Sequence, residues 1–134
     1  MIVVDSSALV DSLVGRPPSW PLLTRLAADR DLHAPHLVDV EVLNALRGLV
    51  QIGELSDSRA ADARTDFARL AITRYPHQGL ADRMWELRHN LNAYDAAFVV
   101  LSEMLDAPLI TTDRRLAEAP GHHAQVEVFA PPRR

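Results

Sequence analysis

An α/β fold built on a central, mostly parallel five-stranded sheet is what the sequence predicts, and three observations predict it. Short apolar runs rich in β-branched residues alternate with longer stretches of helical spacing. Two of those runs, Ile2-Val3-Val4-Asp5 and Leu109-Ile110-Thr111-Thr112-Asp113, end in an acid and lead straight into a helical segment. The chain has 134 residues, 48% hydrophobic and 24% charged, which is enough for one core and too little for two ordinary domains. A single domain is therefore expected over residues 1–130, with Pro131-Pro132-Arg133-Arg134 as a short tail.

Taken in order, Met1 to Asp5 reads as a buried first strand and Ser6 to Val10 as the start of a helix. Pro17 and Pro18 break the chain. Ser19 to Asp29 follows, with Trp20, Leu22, Leu23, Leu26 and Ala27 at helical spacing and Pro21 tolerated in a first turn. Leu32-His33-Ala34, closed by Pro35, predicts a second strand. Leu37 to Ile52 is the longest apolar stretch, with Gly53 where a helix C-terminus belongs. Its helical projection sets Leu37, Glu41, Asn44, Ala45 and Gly48 opposite Val42, Leu43, Leu46 and Val50, so both sides are largely apolar. Ser56 to Leu70 begins with a capping residue and predicts a helix with a solvated, charged face. Ile72 to Tyr75 predicts a third strand, Gln78 to His89 a helix, Tyr94 to Leu105 an apolar helix, Pro108 to Asp113 a fourth strand, Arg114 to Ala119 a short helix, and Val126 to Phe129 a fifth strand.

Composition excludes several chemistries. Cysteine is absent, which removes disulfide scaffolds, thiol nucleophiles and Cys-ligated zinc. All 14 basic residues are arginines. Without lysine there is no P-loop, no Schiff base and no receiver-type phosphorylation pocket. Asp5-Ser6-Ser7 lacks the second acid of a D-x-D phosphatase loop, and His122-His123 does not have the spacing of a helical zinc pair. A net charge of −4 argues against a broadly basic RNA-binding face. Carboxylates assembled for a divalent cation would carry that sign themselves, and the bound ion would reverse the local field. No apolar run approaches a membrane span and no signal-type leader opens the chain, so a cytoplasmic protein is expected.

In an open α/β sheet, ligands gather outside the carboxyl ends of the strands, where strand order reverses. Asp5 and Asp113 fall at such ends, Asp95 opens a helix after a turn, and Glu41 interrupts an apolar helix. Four oxygen-bearing side chains converging there suit Mg²⁺, with Mn²⁺ as an alternative. Each acid also has a structural use. Asp5 and Asp113 can cap the helices that follow, Asp95 can serve its helix dipole, and Glu41 can pair with Arg47 or another arginine.

The segments IVVDSSALV at 2–10, VEVLNALR at 40–47, YDAAFVVLSEML at 94–105 and PLITTDRRL at 108–116, in this order, resemble the PIN-domain ribonucleases. They resemble most closely the VapC toxins of bacterial type II toxin–antitoxin systems. The resemblance implies a PIN-like (Rossmann-like) α/β/α sandwich and an acidic quartet at Asp5, Glu41, Asp95 and Asp113 that holds metal and is catalytic. Ser7 and Thr111 match hydroxyl positions flanking the first and last acids, and Thr112 and Asn44 are polar neighbours of the same motifs. The implied activity is metal-dependent endonucleolytic cleavage of structured RNA, namely tRNA, rRNA or mRNA. The implied partners are a VapB-like antitoxin, forming a toxin–antitoxin hetero-oligomer, and a second copy in a homodimer.

Arg16, Arg47, Arg114 and Arg115 stand near the motif segments and are candidate phosphate contacts. Trp20, Tyr75 and Trp85 are expected in core or interface packing rather than as base-stacking platforms. The apolar surplus on Leu37 to Ile52 and on Leu9, Val10, Leu13 and Val14 agrees with partner surfaces. The competing function on the same fold is a non-catalytic module that binds RNA or protein.

Overall fold

Five short strands, β1 (Ile2–Val4), β2 (Leu32–Pro35), β3 (Ile72–Tyr75), β4 (Leu109–Thr111) and β5 (Val126–Val128), pair in the order β3-β2-β1-β4-β5 in a computed structural model of the protein. The structure describes residues 1–130, so the Pro131–Arg134 tail lies outside the described residues. Every pairing is parallel, which goes one step beyond the mostly parallel sheet expected. β1 and β4, the two strands that end in acids, are neighbours at the centre, in register Val3 to Leu109 and Val4 to Ile110.

Strand order explains where the helices lie. The chain steps outward from β1 through β2 to β3, then returns past β1 to β4, so right-handed crossovers put the two sets of helices on opposite faces. The first set is α1 (Ser6–Val14), α2 (Trp20–Ala28), α3 (Leu37–Gln51) and α4 (Asp57–Ala68), and α1 packs on α2, α3 and α4. The second is α5 (Ala81–Glu86) and α6 (Ala93–Leu105), which pack on each other, α6 also meeting β1, β2 and β4. A last helix, α7 (Arg114–Glu118), leans on β5.

α6 is buried from Ala96 through Ser102, as expected of a helix that is apolar all round. α3 buries the stripe Val38, Val42 and Leu46 and leaves Val40 and Leu43 exposed, at 66% and 49%. It ends where the sequence indicated. Gly53 adopts φ 77°, the left-handed conformation glycine takes without strain, and lets the Gly53 and Glu54 N–H groups donate back to the Val50 and Leu49 carbonyls.

Some sequence expectations are corrected. The helix over Gln78 to His89 is a 3-10 turn (Gln78–Leu80) followed by the short α5. Of the core-or-interface expectation for Trp20 and Trp85, the core alternative is overturned, since they are exposed at 69% and 67% in the single chain. Trp85 gains its contact from the Arg88 guanidinium, 4.5 Å from its ring centroid. Tyr75 is half-buried, its hydroxyl 2.8 Å from His33 Nδ1. Of the α1 residues offered as partner surface, Leu9 is core, while Val10, Leu13 and Val14 are half-buried against it. Among the described residues no helix is long and apolar enough to cross a membrane.

Candidate active site

The reversal of strand order falls between β1 and β4, and the two strands hand their acids to the same end of the sheet. Asp5 follows β1, its N–H still tied to the Ile110 carbonyl at 2.9 Å. Asp5 is buried, 7% exposed. A buried carboxylate needs donors, and Asp5 Oδ2 has two: the Ser7 hydroxyl at 2.8 Å and the Thr111 hydroxyl at 2.7 Å. Each hydroxyl is itself oriented from behind. The Thr112 N–H donates to Ser7 Oγ at 3.2 Å and the Asp113 N–H to Thr111 Oγ1 at 3.0 Å. Since a hydroxyl has one proton, accepting the backbone N–H leaves that proton for Asp5.

Two of the other acids lie on helices and the last follows β4. Glu41 comes from α3 and accepts the Ser6 hydroxyl on Oε1 at 2.6 Å. Asp95 sits in the first turn of α6, whose cap is Asn92, with Asn92 Oδ1 accepting the Asp95 N–H at 2.8 Å. Asp113 caps α7 by accepting the Arg115 N–H at 3.0 Å. It is also gripped by the Arg115 guanidinium, Nη2 to Oδ2 at 2.6 Å. Arg115 Nη2 lies 4.0 Å from Asp95 Oδ2.

All four acids line one open cavity of about 860 Å³. Thr112 is on its wall, as is an apolar extension from Val10 and Val14 of α1 to Leu49 and Ile52 of α3. Of the candidate arginines, Arg16 lines the cavity and Arg115 holds one of the acids. Arg114, half-buried on α7, is not on the cavity wall. Arg47 is on another face of α3, in a separate groove of about 360 Å³ against α4. Helical geometry explains this: at about 100° per residue, Glu41, Ala45, Gly48, Leu49 and Ile52 form the cavity face. Arg47 projects well away from that face and Asn44 just past its edge. Asn44 is exposed and off the wall, so neither it nor Arg47 sits among the acids.

Two residues go beyond the sequence expectations. Ser6 is the direct partner of Glu41, and Arg59 of α4 lines the cavity. The adjacent serines Ser6 and Ser7 serve different acids because successive residues of a helix project about 100° apart. Arg59 was hidden in the charged pattern of α4.

Electrostatics divide the acids in two groups. Burial pushes the Asp5 carboxyl above its ordinary range, against the pull of the Thr111 and Ser7 hydroxyls and the Ser6 N–H, and the Asp113 charge adds to the push. Burial also raises Glu41, opposed by Ser6 and assisted by the charges of Asp5 and Asp95. Asp95 is raised by burial and then by Asp5, with Arg115 opposing. Asp113 is the exception, held below its ordinary range by the hydrogen bonds from Arg115. The four acids therefore carry excess negative charge, with the Arg115 guanidinium paired to one of them and Arg16 and Arg59 elsewhere on the cavity wall.

A divalent cation suits this donor set. The ligands are hard oxygens, three of them are carboxyls whose ionised form is disfavoured without a cation, and the cavity is open to water. Among the described residues no three Asp, Glu or His side chains form a ready-made protein shell. Mg²⁺ does not need one, since it binds one or two carboxylates and keeps several waters.

Thr111 offers a test of this geometry. Thr111→Val keeps the shape but deletes the proton donated to Asp5 and the acceptor of the Asp113 N–H, and should slow the reaction carried by these acids by about 10- to 100-fold. Thr111→Ser should restore most of the rate. Equal rates in Val and wild-type proteins would show that the hydroxyl does not position Asp5.

Parallel strands in this order, with acids after β1 and β4 and on α3 and α6, define the class of protein called a PIN domain, and the PIN domain family model matches residues 2–121. Ribonuclease VapC9 of Mycobacterium tuberculosis is 44% identical over 133 residues, 99% of this chain and 100% of the relative. Ribonuclease VapC1 of the same organism is 42% identical over 127 residues, 94% of this chain and 96% of the relative. By fold, the chain is similar to VapBC2 from Rickettsia felis, solved bound to a promoter DNA fragment, with TM-score 0.69, 14% identity, and coverage of 96% of this chain and 99% of that one. The chain belongs to the VapC ribonucleases of the PIN-domain family.

Proposed function

We propose that the chain is the toxin of a type II toxin–antitoxin pair, a Mg²⁺-dependent endoribonuclease that accepts Mn²⁺ and cleaves structured cellular RNA such as tRNA, rRNA or mRNA. The observation that carries this reading is the meeting of Asp5, Glu41, Asp95 and Asp113 in one cavity of a chain 44% identical, end to end, to a named VapC ribonuclease. The VapBC2 likeness adds a partner to the reading, a VapB-like antitoxin that occupies the toxin and silences it. Exposed Val40, Leu43 and Ile52 offer apolar surface for such a partner or for the second copy of a homodimer.

In this mechanism Asp5, Glu41, Asp95 and Asp113 would supply the carboxylates for the ion, one or two of them directly and the rest through its waters. Bound there, the ion would supply an acidified water and offset charge that develops on the scissile phosphate. Thr111 and Ser7 keep Asp5 aimed at the cavity. Ser6 occupies Glu41 Oε1, leaving Oε2 to take the proton of the attacking water. Arg16 at the wall meets the RNA backbone. No nucleophilic side chain is required.

The test is incubation of purified chain with total cellular RNA, followed by sequencing of the new ends. A few discrete sites are expected in Mg²⁺, none in chelator, and the same sites again when Mn²⁺ is supplied. RNA bound but left intact in every metal condition would favour a non-catalytic module on this fold.

A further inference from the structure

Arg115 grips an acid of the site itself. It is 75% exposed, so nothing in the core requires it. Yet its guanidinium is fixed on one acid of the site. Nε lies 3.1 Å from both Asp113 oxygens, and Nη2 lies 2.6 Å from Oδ2. With the Arg115 N–H also on Oδ1 at 3.0 Å, both carboxylate oxygens are engaged from one residue. The same Nη2 is 4.0 Å from Asp95 Oδ2, so the positive charge lies between two of the four acids that face the cavity.

From this placement we infer that Arg115 is a built-in placeholder for the divalent ion, competing with it for Asp113 and Asp95. The inference rests on the metal-dependent reading above and adds to it a device that sets how tightly the free protein holds its ion. Two like charges cannot share the space between Asp95 and Asp113, so an ion that enters must displace the guanidinium. The displacement is opposed by a short tether, because Arg115 is two residues from Asp113 on the same helical turn and is always nearby. It is nevertheless feasible, because an exposed side chain held only by ion pairs leaves without unpacking anything. The free chain thus tolerates its clustered acids by means of a weak internal cation, which a stronger external one replaces.

The test measures ion binding without RNA. Mn²⁺ is titrated by calorimetry into wild-type protein, Arg115→Ala, Arg115→Lys and Arg64→Ala. Arg64→Ala removes the same charge from α4, beside the separate groove. A competing cation predicts that Arg115→Ala binds Mn²⁺ about tenfold more tightly, that Arg115→Lys falls between, and that Arg64→Ala matches wild type. Unchanged or weaker binding by Arg115→Ala overturns the inference, since Arg115 would then only hold Asp113 in place. Equal tightening in Arg64→Ala overturns it too, by assigning the effect to net charge. If no protein in the series binds Mn²⁺, the metal-dependent reading itself fails, an outcome distinct from flat affinities.

Discussion

Asp5→Asn should lower the rate of RNA cleavage about a thousandfold and at the same time raise the melting temperature of the protein at pH 7. The first effect follows if Asp5 holds the ion: losing about 4 kcal/mol of transition-state charge stabilisation, at about 1.36 kcal/mol per factor of ten, gives that loss. The second follows from burial. Asp5, Glu41 and Asp95 all have carboxyls raised above their ordinary range in the folded chain, by burial first and by one another's charge after it. A raised carboxyl means that the folded state binds more protons than the unfolded one between the ordinary and the raised values. Stability therefore falls as pH climbs through that window, and the cost is complete above it. Asparagine carries no charge, and its amide oxygen still accepts the Ser7 and Thr111 protons.

The stabilisation should disappear near pH 3, where Asp5 is protonated in both states of the wild-type chain. Scanning calorimetry of both proteins against pH reads this directly. A lower melting temperature for Asp5→Asn at pH 7, with cleavage lost, would mean that the substitution damages the fold and that the lost activity says nothing about the ion. Mg²⁺ should raise the wild-type melting temperature by more than that of the variant, because binding to the folded state stabilises it in proportion to affinity.

The path from sequence to site was direct where one residue had one role. Asp5 and Asp113 each follow a β-branched strand, and strand alternation with helices was enough to put both at the carboxyl edge of a parallel sheet. Glu41 stood out because a carboxylate in an apolar helix requires a partner. That partner is Ser6, thirty-five residues away, and no local pattern could distinguish Ser6 from Ser7. Arg47 was offered because it is near Glu41 in the chain, but its angle on the helix carries it to another face, and Asn44, one turn beyond Glu41 and on the same side in projection, still falls past the edge of the cavity face. The tryptophans were expected in core or interface packing, and the core alternative fails for another reason. Large apolar side chains are usually buried, yet Trp20 opens the short helix α2 and Trp85 lies near the end of the short helix α5, and both remain at the surface of the single chain. The structural uses weighed for the acids also divide. Asp113 does cap its helix, whereas Asp5, at the N-cap of α1, makes no side-chain cap bond to that helix's later N–H groups and takes two hydroxyl protons on Oδ2. A cap and a ligand are therefore compatible roles at Asp113, and Arg115 is what connects them.

Phe98→Ala is expected to destabilise the fold by about 3–5 kcal/mol, the range for emptying a fully buried aromatic position. Phe98 is 1% exposed on α6, the helix that meets β1, β2 and β4 and carries Asp95 in its first turn. Against a total stability of about 5–15 kcal/mol this is a large fraction. It should appear as a fall of roughly 10–20 °C in melting temperature for a domain of this size. Phe98→Leu, which leaves a smaller void, should lose much less and keep most of the cleavage rate. Trp85→Ala calibrates the measurement. Trp85 is just as aromatic but 67% exposed, with the Arg88 contact its principal interaction, worth about 0.5–1 kcal/mol. If the two alanine variants melted together, burial would not be what holds α6 on the sheet. The position of Asp95 would then need another explanation, since the helix beneath it would not be anchored by its core. A wide separation, with Phe98→Leu active and Phe98→Ala inactive at 37 °C but active when cooled, would show that packing of α6 delivers Asp95 to the site and that the chemistry is intact once the helix is seated.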